Sequence, residues 1–175
     1  MILKNEKIEL RSIEEQDTSL IVRWRNKDSV RKNFLYQKPF TEEGHLKWFH
    51  DMVQKGKVEQ FIICLAGNGV KVGSVFLRDI DYVNHKAEYG IFIGEDFARG
   101  NGIGTEAARL ILEYGFHTLN LHKIFLRVLA DNVGAIKSYQ KAGFKEEGYF
   151  RDEVVLDNQY RDLVFMAAIN EKGNS

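Results

Sequence analysis

The stretch Arg99-Gly100-Asn101-Gly102-Ile103-Gly104-Thr105 is a glycine-rich loop between two segments of different character. The preceding Ala87–Ile93 has the apolar composition of a strand, and the following Glu106–Phe116 has the periodicity of a helix. A turn from a strand into a helix presents unpaired backbone N–H groups, which bind phosphate. Glycine permits positive φ and close approach to the anion, and Arg99 adds a cation at the mouth. The loop therefore predicts a phosphate site.

Two familiar nucleotide-binding motifs do not match this loop. A Walker A loop ends in Gly-Lys-Ser/Thr, whereas Gly104 is followed by Thr105 and Glu106. The dinucleotide fingerprint Gly-x-Gly-x-x-Gly would have its third glycine at Thr105. The glycines alone are equally compatible with a tight turn that binds nothing, so the interpretation depends on the rest of the chain.

Composition restricts the class of protein. The 175 residues, 44% of them hydrophobic, predict one domain over residues 1–170, with a frayed tail at 171–175. A formal net charge of +0 gives no general attraction to nucleic acid or to an anionic membrane. Nothing resembles a leader, and no apolar run approaches the length of a membrane span. We therefore expect a cytoplasmic protein without a nucleic-acid or membrane partner.

Cysteine and histidine usage excludes two further kinds of site. The single cysteine, Cys64, rules out an internal disulfide, and its place in the apolar run 61–65 favours a buried strand residue over a reactive thiol. The sequence contains no Cys/His cluster with the spacing of metal ligands. We therefore predict no metal site.

The order of predicted elements indicates a mixed α/β (α+β) domain with a largely antiparallel sheet. Thr41 is a good N-cap for the second helix, and Gly143 ends the last one. The hydrophobic pattern predicts strands at 8–11, 60–65, 70–77, 87–93, 123–128, 144–155 and 159–167, and helices at 14–25, 41–53, 106 to about 117–120, and 132–141.

Three stretches, which follow one another in the order found in that family, resemble the GCN5-related N-acetyltransferase (GNAT) superfamily. They are Phe97–Ala107, which matches that family's pyrophosphate loop, Leu119–Val128, and Asn132–Phe144. The resemblance covers Ile8 to about Ile169 and lies in the branch of ribosomal-protein, polyamine and amino-sugar acetyltransferases. A shorter similarity, Trp24-Arg25-Asn26 followed by Glu43-Gly44-His45-Leu46, is to enzymes that acetylate nucleotide-linked amino sugars.

The resemblance implies acetyl-CoA as co-substrate and direct transfer of its acetyl group to a primary amine. It implies a GNAT-like domain whose mixed, mostly antiparallel sheet is flanked by helices, with a splayed strand at the acetyl-CoA site. The splayed strand would bind the pantetheine and the thioester oxygen through N–H groups, and the loop would bind the diphosphate. The predicted cofactor residues are Ile91, Phe92, Ile93, Arg99, Gly100, Asn101, Gly102, Ile103, Gly104, Thr105, Asn132 and Lys141. The alternative for Asn132 is a helix N-cap, and for Lys141 it is a solvated surface charge.

Two proton transfers are predicted, one from the amine and one to the leaving thiolate. An alkylammonium with a pKa near ~10.4 must lose a proton before it attacks, so a base or a water relay is needed. Glu88, at the start of the strand beside the loop, is the first candidate, and His85 is the second. The resemblance places Tyr139 at the cofactor sulfur, where it protonates the leaving thiolate. The alternatives are a solvated or ion-paired Glu88 at the edge of the strand, an exposed His85 and a packing role for Tyr139.

The N-terminal helices are expected to form the acceptor site. Arg25 is suited to pair with a nucleotide diphosphate, and the aromatic side chains to stack on a base or a sugar. The alternative is that the tryptophans belong to the core faces of amphipathic helices. The predicted substrate-binding residues are Trp24, Arg25, Asn26, His45, Trp48 and His85.

The leading hypothesis is acetylation of a small-molecule primary amine, with a nucleotide-linked amino sugar slightly favoured. Spermidine or spermine acetylation follows, because Tyr114-Gly115-Phe116 through Tyr160-Arg161 also resembles spermidine acetyltransferases. Ribosomal-protein N-terminal acetylation is third, and an acyl-CoA-binding module without catalysis is the alternative of a different class. A homodimer or a higher homo-oligomer is left open, since the closing hairpin offers a sheet edge.

Overall fold

A mixed sheet of eight strands organises residues 2–171, the part of the chain that the computed structural model describes. The strand order is β1-β2-β3-β4-β5-β6-β8-β7, and every neighbouring pair is antiparallel except β5–β6. The strands are β1 Ile2–Lys4, β2 Ile8–Ser12, β3 Glu59–Leu65, β4 Lys71–Asp81, β5 Lys86–Ile93, β6 Lys123–Leu129, β7 Lys145–Leu156 and β8 Gln159–Ile169. The predicted fold class is confirmed, with the short edge strand β1 as an addition.

Five helices flank the sheet: α1 Thr18–Asn26, α2 Asp28–Arg31, α3 Glu42–Trp48, α4 Ile103–His117 and α5 Val133–Ala142. The predicted cap is present, because Thr41 Oγ1 accepts a hydrogen bond from the Gly44 N–H at 3.1 Å. The helix predicted from residue 14 begins with a separate 3₁₀ turn, Glu15–Asp17, and the one predicted to residue 53 ends in a π turn, Phe49–Val53.

The two faces of the sheet bury different helices. On one face α4 packs through Ile111, whereas on the other α1 packs through Ile21 and Trp24. Strand β3 contributes side chains to both faces. Ile63 packs on the face covered by α4 and Cys64 on the face covered by α1, because successive side chains of a strand point to opposite faces. Cys64 is therefore a buried strand residue, as predicted, and burial raises the pKa of its thiol.

The parallel pair β5–β6 separates after three residues. Only Lys86–Glu88 pair with Lys123–Phe125. Beyond Glu88, β5 continues beside β4 as far as Ile93, and β6 continues beside β8 as far as Leu129. The divergence leaves an opening between β5 and β6, called the fork below, and confirms the predicted splayed strand.

Two further expectations concern the ends and the surroundings of the chain. Across residues 2–171, no helix combines the length and the apolar composition needed to cross a bilayer. The frayed tail was predicted for 171–175, and 172–175 lie outside the described residues.

Candidate active site

A cavity of about 1380 Å³ joins the glycine loop, the fork and the N-terminal helices. Its loop end is lined by Gly100, Gly102, Ile103, Gly104 and Thr105, its middle by 89–93 of β5 and 126–128 of β6, and its far end by Arg25, His45 and Trp48. Helix α5 closes one side with Ala135, Ser138 and Tyr139. Elements that are distant in the sequence therefore share one concave site.

The loop opens the first turn of α4 toward this cavity. Gly100 and Gly102 adopt φ of 77° and 78°, in the left-handed region that favours glycine. The first backbone hydrogen bond at this end runs from the Glu106 N–H to the Gly102 carbonyl at 3.1 Å. The preceding N–H groups of residues 103–105 have no partner within the helix, so the loop is suited to bind a diphosphate.

The middle of the cavity exposes backbone groups of β5. The Gly94 N–H bonds the Val72 carbonyl on the side of β4, whereas the Ile93 carbonyl accepts from Arg99 Nη2 at 2.9 Å. Because backbone groups alternate along an antiparallel strand, Ile91 and Ile93 face the fork and Phe92 faces β4. The N–H groups of Ile91 and Ile93 are thus those available to a ligand in the fork, and their contact with the cofactor stays a prediction.

Two loop side chains differ from the prediction. The Arg99 guanidinium lies back against β5 and α2, where it donates to the Ile93 carbonyl and to Ser29 Oγ. Its charge is therefore not a free cation at the mouth. Asn101 is exposed and its Nδ2 donates to the Phe97 carbonyl at 3.1 Å, away from the cavity lining. Both side chains hold the loop in shape, so the proposed diphosphate contacts come from the backbone.

Tyr139 projects from α5 into the cavity beside β5. Its ring meets that of Tyr89 edge to face, with centroids 5.7 Å apart, and lies 6.0 Å from the ring of Phe144. Burial raises the pKa of Tyr139 to about 12, so the phenol keeps its proton at neutral pH. This is the state required of a proton donor to a leaving thiolate.

The Tyr89 hydroxyl is a polar cavity group that sequence reasoning missed. It is buried and has no hydrogen-bond partner among the described residues. Burial raises the pKa of this phenol well above its ordinary value, and the nearby Tyr139 raises it further. A tyrosine inside an apolar strand carries no sequence signal of this placement.

Asn132, the N-cap of α5, and Lys141, on its last turn, both line the cavity. Asn132 Oδ1 accepts from the Ala135 N–H at 3.3 Å, so this residue caps α5. The helix is tied to the glycine loop by a hydrogen bond of 2.8 Å between Ser138 Oγ and Thr105 Oγ1. Capping and cofactor contact are compatible for Asn132, and its cofactor role stays a prediction.

Glu88 lies where the fork opens and is held by two arginines. Its carboxylate accepts from Arg127 Nε at 2.9 Å and from Arg78 Nη2 at 3.0 Å. Arg78 comes from β4 and Arg127 from β6, two residues beyond the last paired residue, Phe125. Both oxygens are engaged, so the geometry favours the ion-paired alternative for Glu88, in which it holds three strands at the fork, over the base predicted from sequence.

Glu88→Gln is expected to lower the free energy of unfolding by about 2 kcal/mol, because two guanidiniums lose their counter-charge. Thermal and urea unfolding measure this, with Glu113→Gln, an exposed carboxylate on α4, as the matched control. A loss of turnover of about 10²-fold or more with unchanged stability would instead identify Glu88 as the base.

The structure separates the predicted substrate residues into two groups. Arg25, His45 and Trp48 line the cavity. Trp24 is fully buried in the core, where its ring covers Gly94 and its Nε1 donates to Glu95 at 2.7 Å. Asn26 binds both backbone groups of Phe40 through its side chain. These two residues therefore position α1 and the following loop, which corrects their assignment to the substrate.

His85 is also corrected. It sits in the turn before β5 with φ of 50°, and its ring Nδ1 lies 3.1 Å from the Asn120 carbonyl oxygen on the exposed surface. Its side chain is outside the cavity lining, so neither substrate contact nor the role of base fits this position. The exposed alternative describes it correctly.

His45 is a buried histidine at the far end of the cavity. Its Nδ1 lies 3.0 Å from Thr18 Oγ1 on α1, and its ring packs on Trp48 with centroids 5.5 Å apart. Its Nε2 has no partner among the described residues. Burial lowers the pKa of His45 from 6.5 to about 4, so the imidazole is neutral at physiological pH.

This shift predicts an acid-sensitive fold. Because the folded pKa is depressed, His45 contributes stability fully above pH 6.5 and loses it as pH falls toward 4. The contribution is about 3 kcal/mol, from the size of the shift. Urea unfolding at pH 7 and pH 4 should show a smaller pH difference for His45→Gln than for the wild type, whereas the exposed His50→Gln should retain the wild-type difference. Equal differences in all three proteins would contradict the assignment.

Comparison with known proteins agrees with this geometry. A profile for the acetyltransferase (GNAT) domain matches residues 7–145. The chain is 34% identical over 165 residues to spermidine N(1)-acetyltransferase of Escherichia coli K12, covering 91% of this chain and 84% of that protein. The crystal structure of Vibrio cholerae spermidine N-acetyltransferase with CoA and spermine has a TM-score of 0.88 at 26% identity, covering 98% and 100%. A dodecameric structure of that protein has a TM-score of 0.83.

The chain therefore belongs to the acetyltransferase (GNAT) family. It is an enzyme, an N-acetyltransferase that uses acetyl-CoA, so the binding module without catalysis is excluded. Among the acceptors that the sequence left open, these relatives support the polyamine alternative better than the nucleotide-linked amino sugar that was favoured.

Proposed function

We propose that the three parts of the cavity perform direct acetyl transfer to the primary amine of a small molecule. The observation that supports this proposal is the fork between β5 and β6, where Ile91 and Ile93 line the same cavity as the glycine loop and Tyr139. Acetyl-CoA supplies an activated acetyl thioester. Loop N–H groups hold its diphosphate, and the N–H groups of β5 bind the pantetheine and polarise the thioester carbonyl.

Tyr139 then donates its proton to the departing sulfur, and the phenolate regains a proton from the cavity water that has accepted one from the attacking amine. The phenol remains protonated at working pH, and it lies beside the strand that orients the thioester. With Glu88 held by two arginines, we propose that the proton of the attacking ammonium leaves through water in the wide cavity. This order of events needs no covalent enzyme intermediate.

For the acceptor we propose a molecule that carries negative charge apart from its amine, with a nucleotide-linked amino sugar as the leading case. Arg25, at the far end of the cavity, has no carboxylate partner among the described residues, which favours an anionic ligand there. Of the two carboxylates in the cavity lining, Glu88 is already compensated by Arg78 and Arg127. The charged lining residues are Arg25, Arg78, Arg99, Arg127, Lys137 and Lys141 against Asp79 and Glu88.

Spermidine or spermine is the second candidate, and its support comes from the relatives rather than from the cavity. The Escherichia coli protein is a spermidine acetyltransferase, and the Vibrio cholerae structure contains spermine. A polycation bound in this lining would meet few uncompensated carboxylates, which is the physical argument against it. By analogy with the dodecameric relative we propose a homo-oligomer, in which the edge strand β7, with Tyr149 and Phe150 exposed, offers a surface for association.

An acceptor panel tests these proposals. Thiol release from acetyl-CoA is measured with a UDP-linked 4-amino sugar, spermidine and a peptide with a free N-terminal amine. We expect kcat/KM for the amino sugar to exceed that for spermidine by about 10²-fold, because opposite charge raises both capture and binding. The reverse order would support the polyamine candidate. Thiol release with the peptide alone would contradict both.

A further inference from the structure

The base of the fork contains a buried hydroxyl group that the described residues leave unpaired. Tyr89 directly follows Glu88, the last residue of β5 that pairs with β6, and it is only 4% exposed. The residue lines the cavity, yet its hydroxyl has no hydrogen-bond partner among the described residues. Buried hydroxyls are ordinarily hydrogen-bonded, because removing an unpaired one from water is costly. An exception inside a candidate active site therefore points to a role in the reaction.

Packing holds the Tyr89 ring beside the proposed proton donor. The ring meets that of Tyr139 edge to face, with centroids 5.7 Å apart and an interplanar angle of 84°, and it lies 5.2 Å from the ring of Phe144. Tyr89 belongs to the core cluster under α4, and Tyr139 packs against the same cluster from α5. Two phenols therefore adjoin each other where the fork meets α5, and both line the cavity.

Proton donation by Tyr139 is uphill by itself. Burial raises the pKa of Tyr139 to about 12, whereas an ordinary thiol has a pKa near ~8.5. Transfer of the proton to a thiolate is therefore unfavourable by about 10³-fold, from the difference between these two values. A group that donates a hydrogen bond to the developing phenolate would reduce this barrier, because such a bond favours the charged form of the acid.

The Tyr89 hydroxyl has the properties that this donor needs. Burial, followed by the negative charge of an ionised Tyr139, raises the pKa of Tyr89 well above its ordinary value. Tyr89 therefore keeps its proton while Tyr139 loses its own, and it stays a donor throughout. The two hydroxyls are not bonded to each other in this structure. Hydrogen bonds that serve catalysis often tighten only in the complex with substrate or in the transition state.

We propose that Tyr89 is a positioning residue that acts through Tyr139, by donating a hydrogen bond to the Tyr139 oxygen as the phenolate forms. When the C–S bond breaks, its electron pair passes to sulfur, and the proton of Tyr139 moves to the same atom. Tyr89 keeps its own proton, and the phenolate regains one from the cavity water. This inference rests on the proposed function and deepens it, since it explains how a buried phenol can act as the acid.

A double-mutant cycle of Tyr89→Phe and Tyr139→Phe tests this coupling. Thiol release gives kcat at saturating acetyl-CoA, with the acceptor that has the highest kcat/KM in the panel above. Tyr89→Phe alone should lower kcat by about 10- to 100-fold, the loss expected for one hydrogen bond to a charged group, and leave the KM for acetyl-CoA within about twofold. In the Tyr139→Phe protein, the further change Tyr89→Phe should alter kcat by less than about twofold, because no phenolate forms there.

Folding is followed by thermal melting of the same variants. Tyr89→Phe should melt at the wild-type temperature or above it, because the change removes a hydroxyl without a partner and keeps the ring. The matched control is Tyr114→Phe. Tyr114 is also buried and meets Phe61 edge to face, but its hydroxyl donates to Glu59 at 3.1 Å and it lies outside the cavity lining. This control should melt below the wild type and keep its kcat.

The outcomes separate Tyr89 from the proposed function. An unchanged kcat in Tyr89→Phe, or the same loss of kcat in both backgrounds, would overturn the role of Tyr89. A lower melting temperature together with a raised KM would assign it a structural role and would overturn the inference as well. A slow Tyr139→Phe beside a fully active Tyr89→Phe contradicts the role of Tyr89 alone, whereas a fully active Tyr139→Phe contradicts the proton donor of the proposed function.

Discussion

Tyr139→Phe is expected to lower kcat by about 10²- to 10³-fold, within the range for loss of a positioned proton donor. The substitution removes one oxygen and keeps the ring that packs on Tyr89 and Phe144. The KM for acetyl-CoA should change little, because the loop and β5 hold the co-substrate through backbone groups. Thiol release at saturating acetyl-CoA and acceptor measures the effect.

The control for Tyr139 is Tyr160→Phe, which removes a hydroxyl from a side chain that is 71% exposed on β8. Melting temperatures of both variants should match the wild type, so a lost rate cannot be ascribed to unfolding. Since the pKa of Tyr139 is raised to about 12, its deprotonation should not limit the wild-type rate below pH 10. Full turnover in a folded Tyr139→Phe variant would contradict the role of Tyr139 as proton donor to the thiolate.

Local sequence signals predicted the parts of the site that depend on local structure. The glycines at 100 and 102 predict a turn because left-handed φ is inexpensive for glycine, and the turn is present at φ of 77° and 78°. Thr41 and Asn132 predict helix starts because their side chains accept backbone N–H bonds a few residues on, as both do. Such signals act within a few residues and need no tertiary information.

The end of α1 shows a part of the site that local sequence signals did not predict correctly. Trp24, Arg25 and Asn26 are adjacent, but successive helical side chains point about 100° apart, so they cannot share one surface. Trp24 turns into the core, Asn26 turns to the backbone of Phe40, and Arg25 alone lines the cavity. Adjacency in the sequence therefore does not bring all three side chains to one substrate site.

The fork depends on strand register, which the sequence leaves open. Arg78, Glu88 and Arg127 lie on three strands and meet only because β4, β5 and β6 are neighbours in this alignment. A register shift of one residue would turn Glu88 to the opposite face. Its pairing with two arginines was therefore not readable in advance, and neither was the buried hydroxyl of Tyr89.

Gly102→Val is expected to raise the KM for acetyl-CoA by about 10- to 100-fold. Gly102 is the N-cap of α4 with φ of 78°, and a β-branched residue in the left-handed region costs about 1–2 kcal/mol or moves the backbone. No atom lies within 4 Å of a Cβ built there, so the effect comes from the backbone rather than from a clash. Movement displaces the N–H groups at the start of α4, and each hydrogen bond to a charged ligand is worth about 1.5–3 kcal/mol.

Gly56→Val supplies the matched control for this loop. Gly56 has φ of 66° and equally open surroundings, but it lies in an exposed turn outside the cavity lining. Both variants should lose a similar free energy of unfolding, because each places valine in left-handed backbone. The Gly56→Val protein therefore controls for the effect of backbone strain alone. Only Gly102→Val should weaken acetyl-CoA binding, measured by calorimetry with CoA and by the KM at saturating acceptor. Because backbone donors and not the Arg99 side chain are assigned to the diphosphate, an unchanged KM in a folded Gly102→Val would contradict the phosphate role of the loop.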